Sequence, residues 1–446
     1  MWECHSDPSL RFAIPAPQWY IKQMLFPEKN MANCDTSYWR VNLWMLWVSQ
    51  LLIMAGFSAM IPFVPLFIKN ELGIVDETDL AFYVTMFNVF GTAAYAIFTP
   101  LNGILGDRFG IKIMLLRGTF VTAFLFPIMG YVSTAWPLII LRFLTAACAG
   151  TTAASQAMLA RTVPDSKQGF ALSILTTSFW GGMMLGNVIG GLIIHYYDYK
   201  AAFWMCGIMY FIAGFAILPT RDSGVRNRPA KGQAGTPGKS RAGGLLPKFS
   251  GAVWAMLGLL FLLGILRHFE APFIALKIET VAPAGEAAYW TGIISAVVSV
   301  GALFGGMAAG FLIDRYPPNR LLVPMLAGSA LMLAWNGFAT GIPGFTASRM
   351  LLFIICGGVQ PLLQKLLANL TPQEQRGSAF GVGTCVMCLG GVISSVLAGW
   401  CVIAFSLNSV FYAAALISLF SIPIMVPVIR KFAGRRSIST QTGGEK

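Results

Sequence analysis

Twelve long apolar segments limit what this chain can fold into. Each holds about 20 or more mostly apolar residues, the length that a helix needs to cross a bilayer. Continuous apolar runs exclude a membrane β-barrel, whose strands alternate in hydrophobicity. We therefore predict an all-α polytopic membrane protein with twelve transmembrane helices. The approximate spans are 41–68, 80–102, 113–133, 137–160, 169–195, 201–219, 251–276, 288–313, 320–341, 344–369, 377–404 and 408–429.

The composition agrees with a membrane location. Charged residues make up 11 % of the 446 residues and apolar residues 56 %, whereas about 25 % of the residues in a soluble domain are charged. So few charged residues would not cover the surface of a soluble protein of this size. The composition excludes a disordered chain, a coiled coil and a nucleic-acid-binding protein, and it argues against a soluble enzyme.

The basic residues predict the orientation, because cytoplasmic loops are enriched in Lys and Arg. With residues 1–40 in the cytoplasm, 24 of the 31 basic residues fall in cytoplasmic segments. Three fall in outer loops, namely Lys69, Lys200 and Lys277. Both termini are therefore expected in the cytoplasm, with the protein in the cell (inner) membrane. The other four basic residues lie inside spans: Arg142, Arg267, Arg349 and Lys365.

The N-terminal segment has no apolar core and no small-residue cleavage site, so no cleavable signal peptide is expected. We expect residues 1–30 to be a start-site extension, with Met31 as the natural start. The eight cysteines do not predict a disulfide framework, because no pair falls in outer loops. Cys385 and Cys388 have the spacing of a metal or redox pair, but without further ligands in an apolar span they are expected to be packing residues.

A basic segment rich in Gly and Pro, residues 220–250, separates six spans from six. Its composition is typical of a flexible linker. The predicted organisation is therefore a cytoplasmic segment 1–40, a six-helix bundle 41–219, the linker 220–250, a second bundle 251–430 and a cytoplasmic tail 431–446.

The two halves carry related sequences at a nearly constant offset. The triplet of Gly103, Asp107 and Arg108 recurs 207 residues later as Gly310, Asp314 and Arg315. The same offset relates Pro65 to Pro272, and Arg142 to Arg349. These matches predict two pseudo-symmetric bundles from a duplicated unit, with a substrate path between them.

No sequence feature predicts an ATP-driven pump. The segment Gly238-Lys239-Ser240 resembles part of a phosphate-binding loop, but Gln233 stands where the motif requires its first Gly. Transport would therefore be passive or coupled to an ion gradient. The motifs of intramembrane enzymes are also missing, so we expect neither an enzyme nor a cofactor or metal.

Loop 2–3 carries a charged, glycine-rich motif. Its glycines let helices approach closely, and Asp107 can interact with a helix N-terminus or an Arg. Such a cluster either latches the two halves in one conformation or only fixes the topology of a charged turn. It resembles the loop 2–3 signature of the major facilitator superfamily, although Ile111 replaces a basic residue. The motif residues are Gly103, Gly106, Asp107, Arg108, Gly110 and Lys112, with a partial second-half copy at Gly310, Asp314 and Arg315.

Span 5 carries a second motif, formed by Gly182, Gly186, Asn187, Gly190 and Gly191. Its glycines predict close helix packing. The motif is also similar to the span 5 signature of the proton-coupled exporters of this superfamily, with Asn187 in place of a Pro. The resemblance implies the major facilitator fold, alternating access and proton coupling, and Arg142 matches the proton-relay Arg of the twelve-span drug/proton antiporters.

Glu270 is the single acidic residue inside a span. A buried carboxylate can carry a proton, so Glu270 is our candidate for the coupling proton, with Arg267 or His268 tuning it. Arg267 lies three residues earlier, at ion-pair spacing. The alternative is a salt bridge near the outer interface. Arg142 is either functional or extends to the outer surface.

Five polar residues could line a substrate cavity or could equally form hydrogen bonds between helices: Gln50, Asn88, Gln156, Gln360 and Gln364. We expect a monomeric secondary transporter whose partners are a small-molecule substrate, protons and the lipid bilayer, but not nucleic acid. Its expected activity is proton-coupled efflux of drug-like or toxic amphipathic compounds. The alternatives are an importer of a polar nutrient, proton-linked or facilitative, and a non-transporting membrane receptor or scaffold.

Overall fold

A computed structural model describes residues 32–164, 167–221, 249–371 and 375–433. Within these ranges, twelve helices are long and apolar enough to cross a membrane, which confirms the predicted all-α polytopic fold. The proposed start at Met31, most of the linker and most of the tail lie outside the described residues.

Eight spans are continuous helices. Their lengths of 19 to 33 residues exceed or approach the length needed to cross a bilayer. They are span 2 (Glu77–Phe109), span 3 (Ile111–Met129), span 5 (Gln168–Tyr196), span 6 (Tyr199–Ile217), span 8 (Ala287–Arg315), span 9 (Pro318–Phe338), span 11 (Arg376–Ala404) and span 12 (Ser409–Ala433).

The other four spans are interrupted, and they are the first and fourth of each half. Span 1 consists of Ala32–Met60 and Val64–Asn70 around a 3₁₀ turn, Ile61–Phe63. Span 7 consists of Gly251–His268 and Ile274–Val281 around a 3₁₀ turn, Ala271–Phe273. Each turn contains a proline, which lacks the N–H that a continuous helix requires.

Spans 4 and 10 break at glycines instead. Span 4 is divided into Ala135–Cys148 and Thr151–Thr162, and Gly150 has a φ of 107°, which favours glycine. Span 10 is divided into Ile342–Cys356 and Val359–Leu370 by Gly357 and Gly358. Glycine- or proline-interrupted spans at corresponding positions of two halves point to the binding site of a transporter.

Contacts between spans close into a ring in the order 1, 5, 8, 10, 7, 11, 2 and 4. All four interrupted spans belong to this ring. Spans 3 and 6 pack against each other outside it, as do spans 9 and 12. The two halves meet along spans 5 and 8 and along spans 2 and 11.

The glycines of span 5 lie against the backbone of span 1. A Cβ atom at Gly186 would overlap the carbonyl oxygen of Ala55, and one at Gly190 would overlap that of Ala59. One helical turn earlier, Gly182 faces Leu51 in the same way. The predicted glycine face is therefore a close helix contact.

The halves pack together at one end of the bundle. We call this end the far side, and the end at which span 6 leads into the linker the linker side. At the far side, Phe63 and Phe67 of the first half share one buried cluster with Phe269 and Phe273 of the second. On the linker side, two separate apolar clusters each contain residues of one half. The protein is therefore closed at its far side.

An ion pair also joins the halves at the far side. Lys69 Nζ lies 2.9 Å from Glu279 Oε1, and both side chains are partly exposed. Lys69 follows the 3₁₀ turn of span 1, and Glu279 follows that of span 7. The two helical segments that follow these turns thus meet across the interface.

The structure corrects the predicted position of Lys277 in an outer loop. The helix after Pro272 continues to Val281, beyond the predicted end of span 7 at residue 276. Lys277 is 4 % exposed, and its ammonium donates to Asn408 Oδ1 at 2.8 Å and to the Gly337 carbonyl at 3.5 Å. These two oxygens satisfy a cation that would otherwise be costly to bury.

Gly186→Ala tests the contact between spans 1 and 5. The added Cβ atom would force these helices apart, and overpacking of this kind costs about 1–3 kcal/mol. We expect a lower melting temperature and less monodisperse protein by size-exclusion chromatography. The matched control is Gly181→Ala, because a Cβ atom there meets nothing within 4 Å. Equal melting temperatures of the two variants would contradict this packing.

Candidate functional site

A buried ion pair connects the interrupted spans 7 and 10. Arg349 Nη1 donates to Glu270 Oε1. Glu270 is 5 % exposed and Arg349 3 % exposed. Glu270 directly precedes the 3₁₀ turn of span 7, and Arg349 lies in the first helix of span 10. The pair neutralises both charges where water does not reach them, as buried charges require.

This pairing differs from the predicted one. Arg267 was expected to pair with Glu270 at helical spacing, but the helix ends at His268. Because the 3₁₀ turn follows, Arg267 and Glu270 do not share the face of one regular helix. Arg267 instead donates to Gln360 Oε1 of span 10. Arg349 is a site residue beyond the predicted ones, and its equivalence to Arg142 in the repeat is the sequence signal that points to it.

Glu270 lies deep within span 7. It is eleven residues before Val281, where the span ends, which corresponds to about 16 Å at the helical rise per residue. The alternative interpretation, a salt bridge near the outer interface, assumed that span 7 ends at residue 276. The longer helix and the buried Arg349 favour the interior location.

Arg142 has a different environment from its equivalent Arg349. Its guanidinium carbon lies 5.3 Å from the Phe57 ring centroid and 5.5 Å from that of Phe87, within cation–π range. It also packs on Gly91 of span 2. Among the described residues no carboxylate pairs with Arg142, and its buried Nε has no hydrogen-bond partner.

The polar cavity candidates fall into different environments. Gln50 donates to Thr152 Oγ1 at 2.8 Å and joins spans 1 and 4, while Gln360 joins span 10 to Arg267. Asn88 bonds to its own helix, at the Val84 carbonyl, and Gln156 is exposed. Gln364 lines a small pocket between spans 7, 10 and 11, together with Leu260, Phe380, Gly383, Thr384 and Met387.

The loop 2–3 motif forms a tight connection. Span 2 ends at Phe109, and Gly110 alone, with a φ of 101°, separates it from span 3. Lys112 donates to the carbonyls of Leu218 and Thr220 at 2.6 and 2.8 Å, which anchors the end of span 6.

The remaining motif residues that the structure describes are exposed or make ordinary helix contacts. Arg108 is exposed beside the Phe109 ring, Gly103 faces open space, and Gly106 makes ordinary contacts with span 3. In the second-half copy, Gly310 faces open space and Arg315 is exposed. The side chains of Asp107 and Asp314 lie outside the described residues, so a latch stays a prediction.

In the span 5 motif, Asn187 takes the place of the signature proline. The helix is continuous through it, because asparagine supplies the backbone N–H that proline lacks. The Asn187 side chain is 2 % exposed, and its Oδ1 has no hydrogen-bond partner among the described residues. The last glycine of the motif extends the contact to the second half, since Gly191 lies against Gly292 of span 8.

The cysteines of span 11 lie at the interface between the halves. Cys385 Sγ lies 3.7 Å from the Ala96 carbonyl oxygen of span 2, and Cys388 is buried. In the part of the chain that the structure describes, no cluster of His, Cys, Asp or Glu could hold a metal ion.

Comparison with known proteins identifies relatives over nearly the whole chain. The family model of the Major Facilitator Superfamily matches residues 46–269 and 249–444. The "Multidrug resistance protein MdtG" of Proteus mirabilis is 27 % identical over 386 residues, which cover 86 % of this chain and 94 % of that protein. The "Multi-drug resistance efflux pump PmrA" of Streptococcus pneumoniae is 27 % identical over 388 residues, with the same coverages of 86 % and 94 %.

Solved structures support the fold. A D-xylose–proton symporter superposes with a TM-score of 0.70 at 16 % identity and covers 89 % of this chain and 98 % of its own. The POT family transporter PepTSo superposes with a TM-score of 0.68 at 13 % identity, with coverages of 88 % and 98 %. At these identities the similarity concerns the fold alone.

A double-mutant cycle of Glu270→Gln and Arg349→Gln tests the buried pair. Each single variant leaves one buried charge without its partner, which costs about 3–5 kcal/mol. The double variant removes both charges and is expected to melt at a higher temperature than either single variant. Melting temperatures in one lipid–detergent mixture provide the measurement. Additive losses in the double variant would show that the two side chains are not coupled.

Proposed function

Because this chain belongs to the major facilitator superfamily, we propose that it exports small amphipathic molecules in exchange for protons. Membership in the superfamily makes it a multi-pass membrane transporter of small molecules and not an enzyme. The export direction and the drug-like substrates are supported by relatives named for multidrug resistance and efflux. The observation that carries the proton coupling is the buried pair of Glu270 and Arg349.

We propose the following topology. The linker side faces the cytoplasm of the cell (inner) membrane, because Lys and Arg are concentrated there. The bundles 41–219 and 251–430 move relative to each other about the linker 220–250, and one monomer is the transport unit. In this orientation the structure is the inward-facing conformation, since the far side is closed.

In the proposed coupling step, a proton binds Glu270. While Glu270 is ionised, its bond to Arg349 holds spans 7 and 10 together. Protonation removes the negative charge and weakens this charge-assisted bond. Span 7 is interrupted directly after Glu270, and span 10 is interrupted at Gly357 and Gly358 in the same half, so each can rearrange without unfolding a continuous helix. His268, two residues before Glu270, is placed to tune the proton affinity.

Opening toward the outside requires separation of the far-side contacts. The aromatic cluster of Phe63, Phe67, Phe269 and Phe273 would part, together with Lys69 and Glu279. In the outward-facing conformation the linker side closes instead, and the loop 2–3 motif around Asp107 latches the halves there. The substrate is then released into the outer solution, and the proton binds from that same solution.

The direct test is survival of cells that express the protein on a panel of amphipathic toxins, with and without an uncoupler. We expect protection that disappears with the uncoupler, because the proton gradient drives export. Growth on a sole carbon source without any protection would instead support import of a nutrient. Failure of counterflow for every solute in liposomes would support the receptor or scaffold alternative.

Glu270→Gln tests the coupling role. The neutral amide cannot exchange a proton, so transport driven by an imposed pH gradient should fall to background. Counterflow, which needs no gradient, should be retained to within about a factor of ten if the site remains folded. Glu77→Gln is the matched control, because Glu77 is exposed in the first turn of span 2. Full gradient-driven transport by Glu270→Gln would refute the proposed role.

A further inference from the structure

We propose that the transport site takes amphiphiles with an anionic head group, which binds between Arg142 of the first half and Arg267 of the second. This inference rests on the proposed export function and names the substrate class of the same site. It follows from the charge balance, the geometry and the surroundings of the two guanidinium groups.

The interior of the bundle carries more positive charge than its carboxylate neutralises. Among the described residues of the twelve spans, Arg349 uses the carboxylate of Glu270, and Arg142 and Arg267 have no acidic partner. A cation inside a membrane protein normally pairs with a counter-charge or marks a substrate pathway. Because no carboxylate in the described ranges pairs with either residue, an anionic substrate can supply the counter-charge.

Arg142 and Arg267 lie at the same level of the bundle. Arg142 packs on Gly91 of span 2. The next residue, Thr92, meets span 11 at Gly391, where a Cβ atom would lie 3.5 Å from the Thr92 methyl group. The same Cβ position is 3.0 Å from the ring of His268, the neighbour of Arg267. The crossing of spans 2 and 11 therefore joins the surroundings of the two arginines.

The second-half part of the site is accessible and rich in donors. Arg267 is exposed although it lies in the middle of span 7. One of its nitrogens donates to Gln360 Oε1. The amide nitrogen of Gln360 makes no hydrogen bond within the described part of the chain, so it is a second donor beside Arg267. Guanidinium and amide groups together suit the oxygens of a carboxylate, sulfonate or phosphonate.

The first-half part of the site suits the apolar body of the ligand. The rings of Phe57 and Phe87 flank Arg142, and a side chain at Gly91 would displace the guanidinium. A ligand that joins Arg142 to Arg267 would contact both halves and supply a negative charge to both guanidinium groups. A cationic amphiphile of the same size would be repelled by both guanidinium groups.

The test compares two permanently charged probes with the same chain, octane-1-sulfonate and octyltrimethylammonium. The protein is reconstituted in liposomes for counterflow and in lipid nanodiscs for thermal stabilisation. We expect counterflow of the sulfonate and a higher melting temperature in its presence. Arg267→Gln should weaken the sulfonate response about tenfold, as expected for loss of one charge-assisted hydrogen bond. Arg267→Lys keeps the charge and should recover part of it.

Arg320→Gln is the matched control, because Arg320 is exposed at the start of span 9 and should leave the sulfonate response unchanged. Transport of octyltrimethylammonium in preference to the sulfonate would overturn the anionic site and leave the export function standing. Equal sulfonate responses of Arg267→Gln and Arg320→Gln would also overturn it. If neither probe undergoes counterflow, stabilisation by the sulfonate that is lost in Arg267→Gln still supports the site, and its absence overturns it.

Discussion

The ion pair of Glu270 and Arg349 is the interaction on which the interior of the second half depends. Inside a membrane protein a charge needs a partner, and in the described part of the chain Glu270 is the acidic residue that pairs with Arg349. The pair also joins two interrupted helices, which are linked further along by the hydrogen bond from Arg267 to Gln360. A proton that neutralises Glu270 therefore changes both the charge balance and the connection between spans 7 and 10.

The repeat copies helix geometry but not charge. Both halves interrupt their first and fourth spans, and both place an arginine seven residues into the fourth span. However, the 207-residue offset relates Glu270 to Phe63, an apolar residue of the far-side cluster. Arg349 is therefore neutralised, whereas no carboxylate that the structure describes pairs with Arg142. This difference supports a division of roles, with the proton bound in the second half and Arg142 available to a substrate.

The sequence predicted features that depend on local pattern. Span number, the repeat and the glycine face of span 5 follow from apolar length, offset and four-residue spacing, and the structure agrees with each. The partner of Glu270 could not be predicted from spacing, because the proline-containing turn ends the helical register between Arg267 and Glu270. The burial of Lys277 could not be predicted for a related reason. The groups that accept its hydrogen bonds, Asn408 Oδ1 and the Gly337 carbonyl, lie in distant segments of the chain. A functional role for Arg349 could have been predicted from the sequence, because the 207-residue offset relates it to Arg142.

The far-side closure is held mainly by apolar packing. Lys69 and Glu279 are 31 % and 27 % exposed, and an ion pair with such access to solvent contributes about 0–1 kcal/mol. The four phenylalanines of the cluster are each at most 1 % exposed, and burial of one such side chain contributes about 1.5–3 kcal/mol. The free energy lost when the far side opens must therefore be offset by equivalent apolar contacts that form on the linker side. The two conformations can then differ by only a few kcal/mol, a gap that substrate binding and the proposed protonation of Glu270 can reverse.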